Sequence, residues 1–260
     1  MVKKTIILLK NATVPSDPYQ EIFVSNNYET YFVPLLSHSS VNQELIIEFL
    51  TSPEFLFEYK GIIITSQRCI ESLDAVLSKI QDESIINQIL SKTAYTVGPA
   101  TFDVLDKLGF KDIRGGIMAG NGAALSELII NDPLFKEGST KILFLTGETR
   151  KDIIPRKLLI ANFELKELVA YKTDIMDDVV DRYDALYQSI KDTKNEKWIV
   201  FFSPQGTNYI TTHLAENKAG FKIASIGPTT EEYLTEKGLC PDYVAKKPNA
   251  QSLFEGIESK

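Results

Sequence analysis

The chain contains the same pattern twice. Val97-Gly98-Pro99-Ala100-Thr101, followed by Leu105 and Gly109, recurs 129 positions later as Ile226-Gly227-Pro228-Thr229-Thr230, followed by Leu234 and Gly238. Asn121, Leu125, Glu127 and Ile129 return 128 positions on as Asn249, Leu253, Glu255 and Ile257. Residues 61–65 and Ser66 match residues 198–202 and Ser203 at a shift of 137, and Ile6, Leu9 and Val33 match Ile142, Leu145 and Val169 at 136. Matches in the same order along both halves require two similar folding units, each of which must bury its own core.

The local pattern says what each unit is. Apolar runs of strand length occupy residues 5–9, 31–36, 61–65, 94–97, 141–145, 165–171, 198–202 and 222–226, separated by segments long enough for helices. Continuous runs such as Ile62-Ile63-Ile64 are expected of strands covered on both faces, as in parallel sheets with crossover helices. The prediction is two similar doubly wound α/β domains. The repeat leaves open whether each is contiguous or the first strand–helix–strand unit joins the end of the chain. Polar segments at 37–40 and 172–174 sit at equivalent places after Val33 and Val169, as two hinge strands between domains would.

Composition removes several functional classes. With 43% hydrophobic and 24% charged residues, the chain is not a disordered or fibrous one. A net charge of −7 argues against general binding to nucleic-acid phosphates. Cys69 and Cys240 are the only cysteines, with no CxxC and no nearby histidine pair, so neither a zinc site nor a disulfide framework is indicated. The apolar run within residues 1–10 is too short for a signal-peptide core and no run approaches a membrane span, so the expected location is the cytoplasm, away from membranes.

In open parallel sheets ligands bind beyond the carboxyl ends of the strands, where loops enter helix N-termini. That places Ser66, Gln67 and Arg68, Gly98 and Thr101, Gly120–Gly122, Gly147, Arg150 and Lys151, Ser203, and Gly227, Thr229 and Thr230 together as candidates. Free amides at helix starts and side-chain hydroxyls suit an anionic ligand. The same Ser, Thr and Pro residues also serve as ordinary helix caps, and the doubling of the turn is what raises them above that reading. Gly120-Asn121-Gly122 lacks the third glycine of a dinucleotide loop. His38 and His213 lie in separate segments, which gives a metal site or a triad little to build on. Cys69, beside Arg68 at a helix start, could have a lowered pKa, but a small core residue is the simpler expectation. The acidic segment 174–184 reads as an exposed helical face. Tyr171, at the end of a hinge strand, is the titratable side chain best placed to act as a general acid, against the plainer reading of a packed hinge aromatic.

Gly61-Ile62-Ile63-Ile64-Thr65-Ser66, Tyr95-Thr96-Val97-Gly98-Pro99-Ala100-Thr101, Leu168-Val169-Ala170-Tyr171-Lys172-Thr173, Phe201-Phe202-Ser203-Pro204-Gln205-Gly206 and Ala224-Ser225-Ile226-Gly227-Pro228-Thr229-Thr230 together resemble the uroporphyrinogen-III synthase family. The opening Ile7-Leu8-Leu9-Lys10-Asn11-Ala12 and Pro18-Tyr19 are similar to its eukaryotic members. The resemblance implies a two-stranded linker and a second domain inserted in the first: residues 1–36 with 172–260, residues 37–171, and linkers near 34–40 and 169–175. It implies cyclisation of linear hydroxymethylbilane with loss of water and inversion of ring D, through a spiro intermediate, with no metal or organic cofactor.

It further implies a polyanionic substrate held in an interdomain cleft by main-chain amides and by Ser66, Thr101, Ser203, Thr229 and Thr230, with Tyr171 assisting departure of the hydroxyl. Arg68, Lys151 and Lys222 match positions where members carry basic residues. A monomer is expected, with at most a transient contact with the enzyme that supplies the bilane. The alternative is a non-catalytic two-domain receptor for a small polyanion, sharing the cleft and hinge but lacking turnover.

Overall fold

The structure, a computed structural model, describes residues 4–217 and 220–260, so the first three residues of the opening segment lie outside it. The chain divides into two compact units: unit 1 is Met1–Ser37 with Asp174–Lys260, and unit 2 is His38–Thr173. The first part of unit 1 holds β1 (Lys4–Leu9), α1 (Pro18–Ser25) and β2 (Tyr28–Phe32). The chain then runs through β3 (Leu36–Ser40), α2 (Gln43–Leu50), α3 (Pro53–Glu58), β4 (Gly61–Ile64), α4 (Gln67–Leu77), α5 (Glu83–Leu90) and β5 (Thr93–Val97). Next come α6 (Pro99–Leu108), β6 (Asp112–Gly116), α7 (Gly122–Ile130), β7 (Lys141–Gly147), α8 (Ile153–Ile160) and the long β8 (Glu164–Ile175). Back in unit 1 follow α9 (Val179–Ile190), β9 (Lys197–Phe201), α10 (Asn208–Glu216), β10 (Phe221–Ser225), α11 (Pro228–Glu236), β11 (Tyr243–Val244) and α12 (Ala250–Glu258).

In unit 1 the sheet order is β11-β10-β9-β1-β2, and β1 runs parallel to both of its neighbours, with Ile7 opposite Tyr31 on one side and Ile199 on the other. Alternate residues serve the two faces: Ile7, Leu9, Ile199 and Phe201 enter one core, while Ile6, Leu8, Trp198 and Val200 enter the other. In unit 2 the order is β3-β8-β7-β4-β5-β6, again with two cores. Ile62, Ile64, Leu143 and Leu145 face one, and Ile63, Tyr95, Ile142 and Phe144 the other. Covering a strand on both faces removes each large side chain from water, contributing roughly 1.5–3 kcal/mol apiece, and explains the uninterrupted apolar runs.

Several expectations need correction. The run at 31–36 is not one strand: Pro34, which has no amide to donate, separates β2 from β3. The polar segments at 37–40 and 172–174, read as hinge strands, do lie in strands, β3 and β8, which are adjacent in one sheet. The polar β6 and the two-residue β11 add an edge to each sheet. Asp174 lies in β8, so only part of the acidic segment is helical.

Candidate functional site

All carboxyl ends of parallel strands emerge at one edge of a sheet. In unit 2, β4, β5 and β6 step outward on one side while β7 and β8 lie on the other, so the winding reverses between β4 and β7. Loops leaving two such strands go to opposite faces and leave a crevice between them. A cavity of about 270 Å³ occupies that place, lined by Thr65 and Ser66 after β4, by Thr146 and Gly147 at the end of β7, and by Thr149 and Lys151 beyond it. Tyr171, Cys69 and Arg150 also line it, with Phe144 and Ile154 among its apolar residues.

Ser66 sits in this cavity because it caps α4: its extended backbone turns the chain into the helix, and its Oγ accepts the Cys69 amide at 3.4 Å. The same hydroxyl donates to Tyr171 Oη at 3.3 Å. Behind Tyr171 stands His38, edge to face with ring centres 6.2 Å apart and with Nδ1 2.9 Å from Thr173 Oγ1. Partial burial, helped by the charge of Arg68, lowers the pKa of His38. Two hydroxyls thus meet at the wall of the cavity, an arrangement suited to passing a proton to a leaving oxygen.

The cations differ in availability. Arg150 is held by Glu167 and Asp152, and the exposed Arg68 by Glu71 at 2.8 Å. Lys151 has no ion-pair partner among the described residues and lines the cavity, which leaves its charge for a carboxylate. Cys69 is no nucleophile: it is buried, its thiol donates to the Leu145 carbonyl at 3.3 Å, and burial pushes it up to about 12, overriding the Ser66 contact.

Gly98 and Thr101 lie at the start of α6, on the next strand over, where Val97 but neither of them lines the cavity. The Gly98 amide is already used by the carbonyls of Gly116 and Ala119 at 3.0 and 3.2 Å, so it is not free for a ligand. Its φ of +76° explains the glycine, and Thr101 is buried.

In unit 1 the turn into α11 holds Gly227, the exposed Thr229 and the buried Thr230, and Ser203 follows β9. Gly227 has φ of 175°, extended backbone open to any residue, so the repeated glycines are not equivalent. The winding of this sheet reverses between β1 and β9, and just beyond β1 stands Lys10. Its ammonium pairs with Asp17 and lies 4.9 Å from the ring centre of Tyr19, 5.5 Å from Phe202 and 5.8 Å from Phe32.

Lys222 does not belong with these residues. It is the second residue of β10, at the amino end of the strand, where its ammonium meets Glu196 at 2.8 Å and lies 5.3 Å over the Trp198 ring. A strand puts only its carboxyl end at the binding edge, and Lys222 is at the other. Thr146 and Thr149, absent from the candidates, are hydroxyls of the cavity; the apolar run 142–145 ending in Thr146 mirrors the run 61–64 ending in Thr65, which was the available signal.

A duplicated, doubly wound α/β protein with hydroxyls and a lysine without an ion-pair partner among the described residues at a switch-point crevice belongs to the class of two-domain α/β proteins with a crevice sized for part of a small molecule. The family model described as Uroporphyrinogen-III synthase HemD matches residues 17–255. The uroporphyrinogen-III synthase of Saccharomyces cerevisiae is 40% identical over 265 residues, covering 98% of this chain and 96% of the yeast protein. That of Schizosaccharomyces pombe is 36% identical over 255 residues, with the same coverage of 98% and 96%. The chain belongs to the uroporphyrinogen-III synthase family. Its fold is also that of the Helicobacter pylori uroporphyrinogen-III synthetase (TM-score 0.59, 18% identity, 99% of each chain) and of a mutant Thermus thermophilus uroporphyrinogen III synthase (TM-score 0.56, 13% identity, 98% of each). Among the described residues no helix is long and apolar enough to cross a membrane.

Proposed function

We infer that this protein is a lyase that cyclises hydroxymethylbilane to uroporphyrinogen III, and that the cavity of unit 2 receives the end of the bilane bearing the hydroxymethyl group. The observation that carries the assignment of the site is the meeting of the Tyr171 and Ser66 hydroxyls, 3.3 Å apart, in the crevice beside Lys151. Tyr171 donates a proton as the carbon–oxygen bond breaks, so the hydroxyl leaves as water. Ser66, hydrogen-bonded to the phenol, supports it as the proton departs. The substituted ring D carbon then attacks the terminal carbon to give the spiro intermediate; its original bond to the bridge carbon from ring C breaks, the unsubstituted ring D carbon bonds to that bridge carbon, and loss of its proton restores the pyrrole and returns the proton that Tyr171 gave.

An unaided bilane closes by the simpler route without inversion, so the protein's main task is to hold a flexible molecule in one geometry. Lys151 and Thr149 offer one charge and one hydroxyl to the substrate's carboxylates in unit 2, while the Thr146 hydroxyl is taken by the Gly147 carbonyl at 3.2 Å. The amides at the start of α11, with Thr229 and Thr230, offer a comparable set in unit 1. We take units 1 and 2 to be the family's two domains, with linkers near 34–40 and 169–175. The family resemblance supports a cytoplasmic monomer that meets the bilane-producing enzyme only transiently, which sizing chromatography with and without that enzyme tests.

The decisive assay adds the protein to freshly generated hydroxymethylbilane, oxidises the products to porphyrins and separates the isomers. Excess of isomer III over the protein-free control is expected. Isomer I alone, from folded protein, overturns the assignment in favour of a receptor without turnover.

A further inference from the structure

Tyr171 points where a regular strand would not send it. Side chains alternate along a strand, and in β8 Leu168 and Ala170 face the core that also holds Leu143, Leu145 and Cys69. The next residue should face away, yet Tyr171 packs against that same core. The pairing explains it: Thr146 is opposite Val169, and Gly147 is opposite Tyr171, so Ala170 is an extra residue without a partner on β7. Such a bulge turns the strand and re-aims the side chain that follows it. Meanwhile the Ala170 carbonyl accepts the Val41 amide at 2.9 Å and the Tyr171 carbonyl accepts the Glu148 amide at 3.0 Å, which fixes the backbone on both sides.

The bulge brings the ring directly over Gly147. By alternation residue 147 faces the same core as Leu143 and Leu145, and a Cβ there would lie 2.6 Å from Tyr171 Cζ, 2.8 Å from its Oη and 2.9 Å from Cε1. Gly147 is not among the glycines with positive φ, so its backbone makes no demand for glycine. What requires glycine is the space the phenol occupies. We propose that Gly147 and the bulge at Ala170 form a seat that holds the Tyr171 hydroxyl against Ser66, making Gly147 a positioning residue for the reaction. The proposal rests on the reading of Tyr171 as the proton donor.

The test compares Gly147→Ala, Tyr171→Phe and the double variant for kcat, KM and thermal stability with hydroxymethylbilane. Gly147→Ala is expected to lower kcat about tenfold or more, approaching Tyr171→Phe, with KM little changed. In the Tyr171→Phe background the same substitution is expected to change kcat less than about twofold while still lowering the melting temperature, because the ring remains and the reacting hydroxyl does not. An equal kcat loss in both backgrounds, or none in either, overturns the positioning role and leaves Tyr171 as the donor. Unchanged kcat in Tyr171→Phe instead removes the reading on which the proposal stands. If Gly147→Ala does not fold, recovery of folding in Gly147→Ala/Tyr171→Ala supports the seat, and failure to recover overturns it.

Discussion

Asp132 should be among the most costly side chains to remove outside the cavity. It accepts the Arg114 guanidinium at 2.5 and 2.6 Å, the Tyr95 hydroxyl at 2.9 Å and the Leu134 amide at 2.9 Å, and its side chain is 4% exposed. Replacing it with alanine leaves the fully buried Tyr95 hydroxyl without an acceptor, which costs about 1–3 kcal/mol. Loss of the cap on the 3-10 turn Pro133–Phe135 adds about 1 kcal/mol. Arg114 is one-third exposed and keeps Asp112 at 2.7 Å, so its share is at most about 1 kcal/mol. The sum is about 2–5 kcal/mol, a large part of the ~5–15 kcal/mol that holds a domain folded.

Tyr95→Phe removes the stranded hydroxyl, so the double variant should be at least about 1 kcal/mol more stable than the sum of the two single losses. Urea unfolding followed by circular dichroism is the assay, because the single tryptophan, Trp198, reports on unit 1. The pH dependence has a definite sign. Burial works to raise the Asp132 pKa, but the bonds from Arg114, Leu134 and Tyr95 outweigh it and hold the carboxyl below the usual range. The stabilisation is therefore present above the unfolded carboxylate pKa, near 4, and disappears as pH falls through the lower folded value. The gap between wild type and Asp132→Ala should narrow on acidification below about pH 4. A loss under about 1 kcal/mol at pH 7, or strict additivity with Tyr95→Phe, would refute this account.

Other expectations follow from single contacts. Lys222→Gln should leave KM unchanged and cost at most about 1 kcal/mol, since the residue pairs with Glu196 at the amino edge; a severalfold rise in KM would return it to the binding set. In Gly256→Ala, a Cβ would fall 1.7 Å from Tyr243 Cζ, so a loss of about 1–3 kcal/mol is expected, and Tyr243→Leu in the same chain should relieve it; equal melting temperatures for wild type and Gly256→Ala would contradict the packing. A thiol reagent at pH 8 should modify the exposed Cys240 quickly and spare Cys69; two fast thiols in folded protein would show that the wall beneath Tyr171 is open.

Much of this protein could be read from its residues. Strands buried on both faces must be apolar throughout, so β4, β7 and β9 announced themselves, and the repeated Gly-Pro turns marked where strands give way to helices. Edge strands have no such requirement: Asp112-Ile113-Arg114-Gly115-Gly116 and Tyr243-Val244 are strands only because β5 and β10 lie beside them. The polar residues 37–40 and 172–174 were legible as hinge strands only from their equivalent places in the repeat, not from their own composition.

In the candidate site, Ser66 was legible as a cap at a strand end, and the amino-end position of Lys222, the first residue of the run 222–226, was legible too, although the family resemblance had grouped it with the binding residues. Chain order and periodicity thus determine the strands, the duplication and the edge where chemistry lies, because these depend on neighbours along the sequence. Which hydroxyls meet, which cation stays unpaired and why residue 147 must be glycine were decided by tertiary structure alone. The first and last of these depend on a one-residue slip between β7 and β8, a pairing between segments that nothing local to either strand encodes.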